Sequence, residues 1–462
     1  MTRGQVPARR EEGNLTATSR ALHRPIVYCL PQNPARVFGI CYKTGTMLRA
    51  RHIALRTRLP SATISIRSIM SFSSPNEVVI VSAARTPVGS FQGALKSLTA
   101  PQLGSVAVKA ALERAQVKPE LVDEVYFGNV ISAGVGQSPA RQVALGAGLP
   151  ERTDATTINK VCASGLKAIT IAAQNVQLGH ASVVVAGGME SMSNSPYYHP
   201  RVNPPFGHVQ AKDSLLVDGL WDAYNDVHMG NCAENTAKKH NISREDQDAH
   251  AVESYKRAAK AWESGAFQAE IAPVTITDRK GTTVVKEDEE YKNVKFDKIP
   301  TLKPVFQKEN GTVTAANASN LNDGASAVVL TSAAKAAELG LKPLARIVSF
   351  ADAAIAPIDF PIAPTVALPI ALERAGLKAE DIAQFELNEA FSVVVRAAEK
   401  IMNIDPAKIN PLGGAVALGH AIGNSGCRIV VTLAHSLKPG EYGAAGICNG
   451  GGAASAIIIQ KL

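Results

Sequence analysis

Cys162, in NKVCASGLKA (159 to 168), directly precedes small and apolar residues that read as the first turns of a helix. A cysteine in a helix is usually a small buried hydrophobe. At a helix N-terminus, however, unpaired backbone N–H groups and the positive end of the dipole favour a thiolate and lower the thiol pKa, so Cys162 is a candidate nucleophile. Three more clusters lie at strand ends or Gly-rich turns: NEAF (388 to 391), GGAVALGHAIGNSGC (413 to 427) and GICNGGGAAS (446 to 455). Asn388 follows the strand-like IAQFEL, and either caps the next helix or faces the crevice at the strand's C-terminal end. His420 stands between Gly419 and Ala421. Small neighbours leave its imidazole approachable as acid, base or oxyanion donor, although a lone histidine is more often structural. Cys448 ends an apolar strand and runs into Asn449, Gly450, Gly451 and Gly452. That run is either a tight turn over a buried thiol or a set of N–H groups that a ligand can approach closely. Two thiols, an imidazole and an amide match acyl transfer with carbon–carbon bond formation. Such a reaction needs a nucleophile for the acyl group, a base for the proton alpha to a thioester, and donors for both oxyanions.

The elements that must position these residues follow an α/β rhythm. EVVIVSAA (77 to 84), a helix near 102 to 116, EVYFGNVI (124 to 131), the helix after Cys162 and SVVVAGG (182 to 188) alternate strand and helix patterns. Leu166, Ile169, Ala173 and Val176 share one helical face, and Gly179 marks the stop. The pattern also repeats. ALERAQVKPELVDEVYFGNV (111 to 130) lies in register over ALERAGLKAEDIAQFELNEA (371 to 390), and SGLKAITIAAQ (164 to 174) meets SGCRIVVTLAH (425 to 435) at nearly the same offset. Two copies of one α/β unit packed together bring corresponding loops to one site. Between them, residues 195 to about 321 break the rhythm as an inserted lobe, in which Lys292, Lys295 and Lys298 form either a solvated face or a phosphate-facing patch.

The 462 residues carry a formal net charge of +8, but the charge is not spread over the fold. Residues 1 to 75 hold eleven Arg and one Lys against only Glu11 and Glu12, leaving the remainder close to neutral. A basic, acid-poor stretch rich in Arg, Ser and apolar residues is the pattern of an organelle transit peptide, and mitochondrial import is expected. The near-neutral remainder argues against nucleic acid as a partner. No run approaches the ~20 consecutive apolar residues that span a bilayer. Cys162, Cys232, Cys427 and Cys448 form no CxxC pair, so neither a disulfide framework nor a zinc site is expected.

From about residue 76 onward, NKVCASGLKA, GGMES (187 to 191), NEAF, GGAVALGH with SGCR, and CNGGG together closely resemble the thiolases. HMGNCAENTAKKHNISREDQDA (228 to 249), VFQKENGTVTAANAS (305 to 319) and FADAAIAPIDFPIAP (350 to 364) are most similar to the short-chain mitochondrial members acting on acetoacetyl-CoA. The resemblance implies duplicated α/β domains in an αβαβα layering with an inserted loop domain. The expected division is a leader at 1–74, an N-terminal domain at 75–190 plus 322–341, a loop domain at 191–321 and a C-terminal domain at 342–462. It further implies reversible ping-pong condensation of two acetyl-CoA to acetoacetyl-CoA and CoA, in the mitochondrial matrix, by a homotetramer. Cys162 would carry the acyl group, His420 would activate it, Cys448 would exchange the α-carbon proton, and Asn388 would hold an oxyanion-hole water. The N–H groups of Cys162 and Gly450 would form the second oxyanion hole. By the same resemblance His228, Tyr255, Asn293, Val294, Lys295, Lys298 and Ser319 would bind coenzyme A, and Tyr255, Ala315, Ala316, Ala318 and Val416 a potassium ion. This chain departs from the family pattern in having Ala421 where proline usually follows the histidine, and Asn293 and Lys295 where Arg and Asp are typical.

Other readings fit less well. A β-ketoacyl synthase uses one cysteine, and Cys448 before GGG argues against it. GVGQSP (134 to 139) lacks the third glycine of a dinucleotide fingerprint, and GNSGC (423 to 427) ends in Cys where a nucleophile elbow needs Gly. A non-catalytic scaffold is disfavoured by the presence of all four catalytic positions. A thiolase of broader chain-length range stays open as the alternative within the family.

Overall fold

The computed structural model describes residues 77–201 and 206–462. The expected leader lies outside them. The two ALERA segments close their helices in the same way: Gln116 (φ 54°) and Gly376 (φ 67°) each take the left-handed conformation that stops a helix. Each stop is followed by a single 3-10 turn, at Pro119–Leu121 and Ala379–Asp381, and then by a strand. The sequence repeat is therefore a repeat of structure.

The first copy comprises β1 (Val78–Arg85), α1 (Ala100–Ala115), β2 (Glu124–Gly128), α2 (Pro139–Gly146), β3 (Asp154–Ile158), α3 (Ser164–Gln177), β4 (Val183–Ser191) and β5 (Asn322–Ser332). Between β4 and β5 the lobe contributes α4 (Met229–Lys239) and α5 (Arg244–Glu263). The second copy comprises β6 (Ala345–Ala354), α6 (Pro364–Ala375), β7 (Ile382–Leu387), α7 (Ser392–Met402), α8 (Ile422–Ser436), β8 (Tyr442–Asn449) and β9 (Ala453–Lys461). The strands run in the order β7-β8-β9-β6-β1-β5-β4-β2-β3, and short Gly89–Ser90 pairs with β5. The copies meet at β1 and β6 through only two residue pairs, Val79 with Arg346 and Ile80 with Ala345.

Every residue of β1 and β4 is buried, because helices cover both faces. α1 and α2 cover one outer face with Leu103, Val108 and Val143 against Val79 and Phe127. α6 and α7 cover the other with Leu368 and Val395 against Phe385 and Ile458. Between the two copies' parts of the sheet lie α3 and α8, whose Leu166, Ile169, Ile429 and Leu433 share one core with strands of both copies. This is the layered αβαβα arrangement. At ~1.5–3 kcal/mol per buried large aliphatic side chain, this middle layer is what joins the copies. The expected face of α3 (Leu166, Ile169, Ala173, Val176) lies wholly within it. The lobe is tied to the end of β1 by buried Arg85, whose guanidinium meets Glu270 at 2.5 Å and Asp288 at 2.7 Å. No helix among the described residues is long and apolar enough to cross a membrane.

Candidate active site

Cys162 is presented by a strained turn. Val161 has φ 47°, a left-handed conformation that a β-branched residue adopts only when its surroundings impose it. Asn159 Oδ1 accepts the Val161 N–H at 3.0 Å. Ser164 Oγ accepts the Lys160 N–H at 2.8 Å and donates to the Val161 carbonyl at 2.5 Å. Lys160 Nζ anchors the turn to the second copy through Asp352 (2.5 Å) and Ser455 (2.8 Å). Cys162 consequently lies just ahead of α3, whose N-cap is Ala163. The expectation that this position lowers the thiol pKa is overturned. Burial pushes Cys162 up to about 12, outweighing the N–H groups of Cys162 and Gly450 that favour the thiolate, and the nearby Glu190 charge adds to the rise. At rest Cys162 is therefore a thiol, which would need a base to act as a nucleophile.

His420 is the candidate for that base. It follows the short helix Ala415–Leu418 and precedes α8. Burial first, and the Arg428 charge second, depress its pKa to about 3, so the ring is neutral near pH 7. Ser425 Oγ donates to the Ala421 carbonyl at 3.0 Å, which leaves its lone pair for Nδ1–H of His420 at 2.6 Å. The Asn388 amide nitrogen approaches Nε2 at 3.4 Å. Both contacts place the proton on Nδ1 and the lone pair on Nε2. Asn388 donates its own N–H to the Gly446 carbonyl at 3.0 Å. The N-cap of α7 is Phe391, so the capping role weighed for Asn388 does not apply. Its Oδ1 is buried without a hydrogen-bond partner among the described residues, and is available to a ligand.

Cys162 and His420 border one cavity of about 240 Å³, with His228, Met229, Phe306, Phe391, Ala318 and Ser319. His228 stacks on Phe306 at 4.6 Å and accepts the Gly230 N–H at Nδ1 (3.0 Å), while burial lowers its pKa. Its proton therefore sits on Nε2. Cys448, Asn388 and Gly450 do not line this cavity. Cys448, at the end of β8, is fully buried, and burial together with the nearby Cys162 pushes its thiol pKa up. A second cavity, of about 250 Å³, collects Tyr255, Asn293, Val294, Lys295, Lys298, Ala315 and Ala316. Asn320 borders both cavities. Lys292 is held by Glu287 at 2.7 Å, whereas Lys295 and Lys298 have no ion-pair partner among the described residues. Ser319 Oγ donates to the Ala390 carbonyl at 2.9 Å.

Val416 is buried in one apolar cluster with Tyr255. Among the described residues the carbonyls of Ala315, Ala316, Ala318 and Val416 accept no hydrogen bond. Burial raises the Tyr255 phenol pKa, and the charges of Glu290 and Glu389 raise it further. Free carbonyls in a negative field suit a hard cation. No group of three or more His, Cys, Asp or Glu among the described residues is placed to hold a metal.

Several positioning groups were not assigned from sequence. Glu190, in the GGMES stretch, accepts from Asn129 Nδ2 (2.7 Å) and from the N–H groups of Val130 (3.0 Å), Ile131 (3.2 Å) and Gly423 (2.9 Å). It joins the first turn of α8 to the end of β2. Glu389, in NEAF, accepts from His250 (3.0 Å), Ser254 (2.8 Å), Asn410 (2.8 Å) and the Val416 N–H (3.0 Å). Burial would raise its pKa, but His250 and these donors hold it at about 2.

Comparison with known proteins bears on what this geometry serves. Residues 78–334 match the family model of the thiolase N-terminal domain, and residues 341–461 that of the thiolase C-terminal domain. The chain belongs to the thiolase family. This thiolase is 61% identical over 409 residues to "Acetyl-CoA acetyltransferase, mitochondrial" of Bos taurus, covering 88% of this chain and 97% of that one. It is 60% identical over 413 residues to the protein of the same name from Mus musculus, covering 89% and 97%. Among solved structures it resembles the Acat5 thiolase of Ascaris suum in complex with coenzyme A, with a TM-score of 0.81 and 50% identity over 84% of this chain and 100% of the other. At Ala421, where the family pattern has proline, φ is −70°, a value that a proline ring would also impose.

Proposed function

We propose that this thiolase is an acetyl-CoA C-acetyltransferase, an acyltransferase that condenses two acetyl-CoA into acetoacetyl-CoA and CoA and catalyses the reverse thiolysis. The observation that carries the reading is that Cys162 and neutral His420 border one apolar cavity, which Asn320 joins to a cavity bearing two lysines with no ion-pair partner among the described residues. The names of the bovine and murine relatives point the same way.

In the first half-reaction His420 takes the Cys162 proton and the sulfur attacks the thioester carbon. The N–H groups of Cys162 and Gly450 hold the oxyanion, and the CoA thiolate leaves with a proton from Cys448. The raised pKa of Cys448 keeps that proton in place beforehand. In the second half-reaction the Cys448 thiolate removes the α-carbon proton of another acetyl-CoA. His420 and a water on Asn388 hold the enolate oxygen, carbon attacks the acyl carbonyl, and Cys162 leaves with the proton from His420. Both thiols end as they began. Coenzyme A is substrate and product, with its pantetheine beside His228 and Ser319 and its phosphates near Lys295 and Lys298. The Ala315, Ala316, Ala318 and Val416 carbonyls with Tyr255 would hold potassium, which would order the loops on which they stand.

The chain works in the mitochondrial matrix, as its basic leader and the names of its relatives suggest. It works as a homotetramer. Strand β3 lies at the sheet edge, and Tyr197, Leu216, Val217, Trp221 and Tyr224 expose apolar surface within one segment, both suited to self-association. Coenzyme A-dependent thiolysis of acetoacetyl-CoA, compared with that of a long-chain 3-ketoacyl-CoA on a chain beginning near Ser71, tests the assignment. Strong preference for acetoacetyl-CoA is expected; equal or better turnover of the long substrate would make the protein a broad-range thiolase instead.

A further inference from the structure

One side chain holds the main chain of His420, beside its backbone bridge to Leu321. Asn322, fully buried at the start of β5, accepts the His420 N–H at Oδ1 (2.8 Å). Its Nδ2 donates to the Gly89 carbonyl (3.0 Å) and to Glu290 Oε1 (3.0 Å). The other Glu290 oxygen accepts from Asn320 Nδ2 at 3.0 Å, and both Glu290 and Asn320 line the lysine-bearing cavity. Gly419 (φ 101°) makes the approach possible, since a Cβ there would lie 2.5 Å from Asn322 Cγ. Asn322 lines neither cavity, so it acts on the reaction only through the groups it holds, His420 and Glu290 among them.

We propose that Asn322 is a positioning residue for His420 and that Glu290 fixes which way its amide faces. This rests on the reading of His420 as the base for Cys162. An amide can turn over, and a reversed Asn322 would aim NH2 at the His420 N–H, donor against donor. A carboxylate only accepts, so Glu290 and the Gly89 carbonyl together keep Nδ2 on their side and leave Oδ1 for His420. One hydrogen-bond chain thus runs from the wall of the coenzyme A cavity to the backbone that aims the imidazole.

The test exchanges donor and acceptor. Asn322→Asp still offers His420 an acceptor, but it sets carboxylate against carboxylate at Glu290. The double variant N322D/E290Q restores a donor–acceptor pair, with the new amide donating to the new carboxylate. Two readouts are compared: kcat and KM for acetoacetyl-CoA thiolysis, and the rate of iodoacetamide alkylation at Cys162 located by peptide mass spectrometry. N322D should lower kcat and the alkylation rate at least about tenfold with KM changed less than about threefold, and the double variant should return both to within about threefold of wild type. A double variant no better than N322D at equal melting temperature, or an N322D protein with unchanged alkylation, overturns the proposal. If N322D does not fold, E290Q alone serves: it should slow alkylation about threefold or more, and an unchanged rate overturns the proposal. Alkylation requires no acyl-CoA, so a wild-type protein that alkylates at Cys162 but does not cleave acetoacetyl-CoA would refute the proposed function while leaving this test readable.

Discussion

Gly165 on α3 and Gly426 on α8, equivalent positions in the two copies, bring their helices together backbone against backbone. A Cβ on Gly165 would stand 2.8 Å from the Cys427 amide nitrogen, and one on Gly426 would stand 2.6 Å from that of Leu166. Cys162 lies just before one helix and His420 just before the other. The crossing therefore sets the spacing between Cys162 and His420.

Adding a methyl group at either glycine should separate the helices. Gly165→Ala and Gly426→Ala are each expected to cost about 1–3 kcal/mol of stability, the usual penalty for overpacking a tight core. Thiolysis should fall more than stability, because misplacement of a reacting group by about 1 Å can cost on the order of a hundredfold. Denaturant unfolding and steady-state rates on the same samples check both. Wild-type rates in a destabilised G165A would show that the spacing does not matter to the chemistry.

Cys162→Ser should abolish covalent capture of the acyl group. Turnover is expected to fall at least about a thousandfold, because a hydroxyl does not replace the thiolate as nucleophile. Radiolabelled acetyl-CoA should label the wild-type protein at Cys162 and leave the variant unlabelled. Substantial turnover without label would sink the acyl-enzyme mechanism.

Much of this architecture was legible in the sequence because local and global signals agreed. The ALERA helices, the Gly179 stop and the apolar face of α3 each had one physical solution. That Cys162, Asn388, His420 and Cys448 stand at strand ends or Gly-rich turns was legible as well. The thiol pKa was not: a helix end argues for a thiolate, and only the complete burial of Cys162 reverses the sign. Asn322 and Glu290 were not legible either. An asparagine in NLNDGAS and a glutamate in an acid-rich loop carry no local signal, and their role exists only once β5, the lobe and the His420 turn meet. Val161 is similar, since its left-handed backbone contradicts its own propensity and is imposed by Asn159 and Ser164.

The depressed pKa of His420 ties stability to pH. Its folded value of about 3 lies below the ordinary 6.5, so between these values the unfolded chain binds the extra proton. Stability contributed by the neutral ring is fully present above pH 6.5 and is lost as pH falls through the window. Between pH 6.5 and 5 the loss attributable to His420 should be about 2 kcal/mol. Glu190, raised to about 7 by burial, pulls the other way, so the comparison must be made against His420→Asn, which keeps Glu190. Urea unfolding at both pH values should show the wild-type advantage over H420N shrinking with acid. A constant difference would place the imidazole in a wetter setting than its burial indicates.

Lys295 and Lys298 offer a test of the second cavity that leaves the chemistry untouched. Both line it, both are exposed, and neither is engaged in an ion pair among the described residues, in contrast to Lys292 with Glu287. A coenzyme A phosphate placed there gains charge-assisted hydrogen bonds that exist equally in the bound ground state and the transition state. Such uniform binding lowers KM without changing kcat. Lys295→Gln and Lys298→Gln should therefore each raise KM for coenzyme A about three- to tenfold with kcat nearly unchanged, and the double variant more so. The wild-type KM should rise with added salt, and the double variant should respond less, because the screened charges are gone. Lys292→Gln, already neutralised by Glu287, is the control expected to change little. A fall in kcat with unchanged KM in K295Q or K298Q would mean that these lysines shape the site rather than bind the nucleotide.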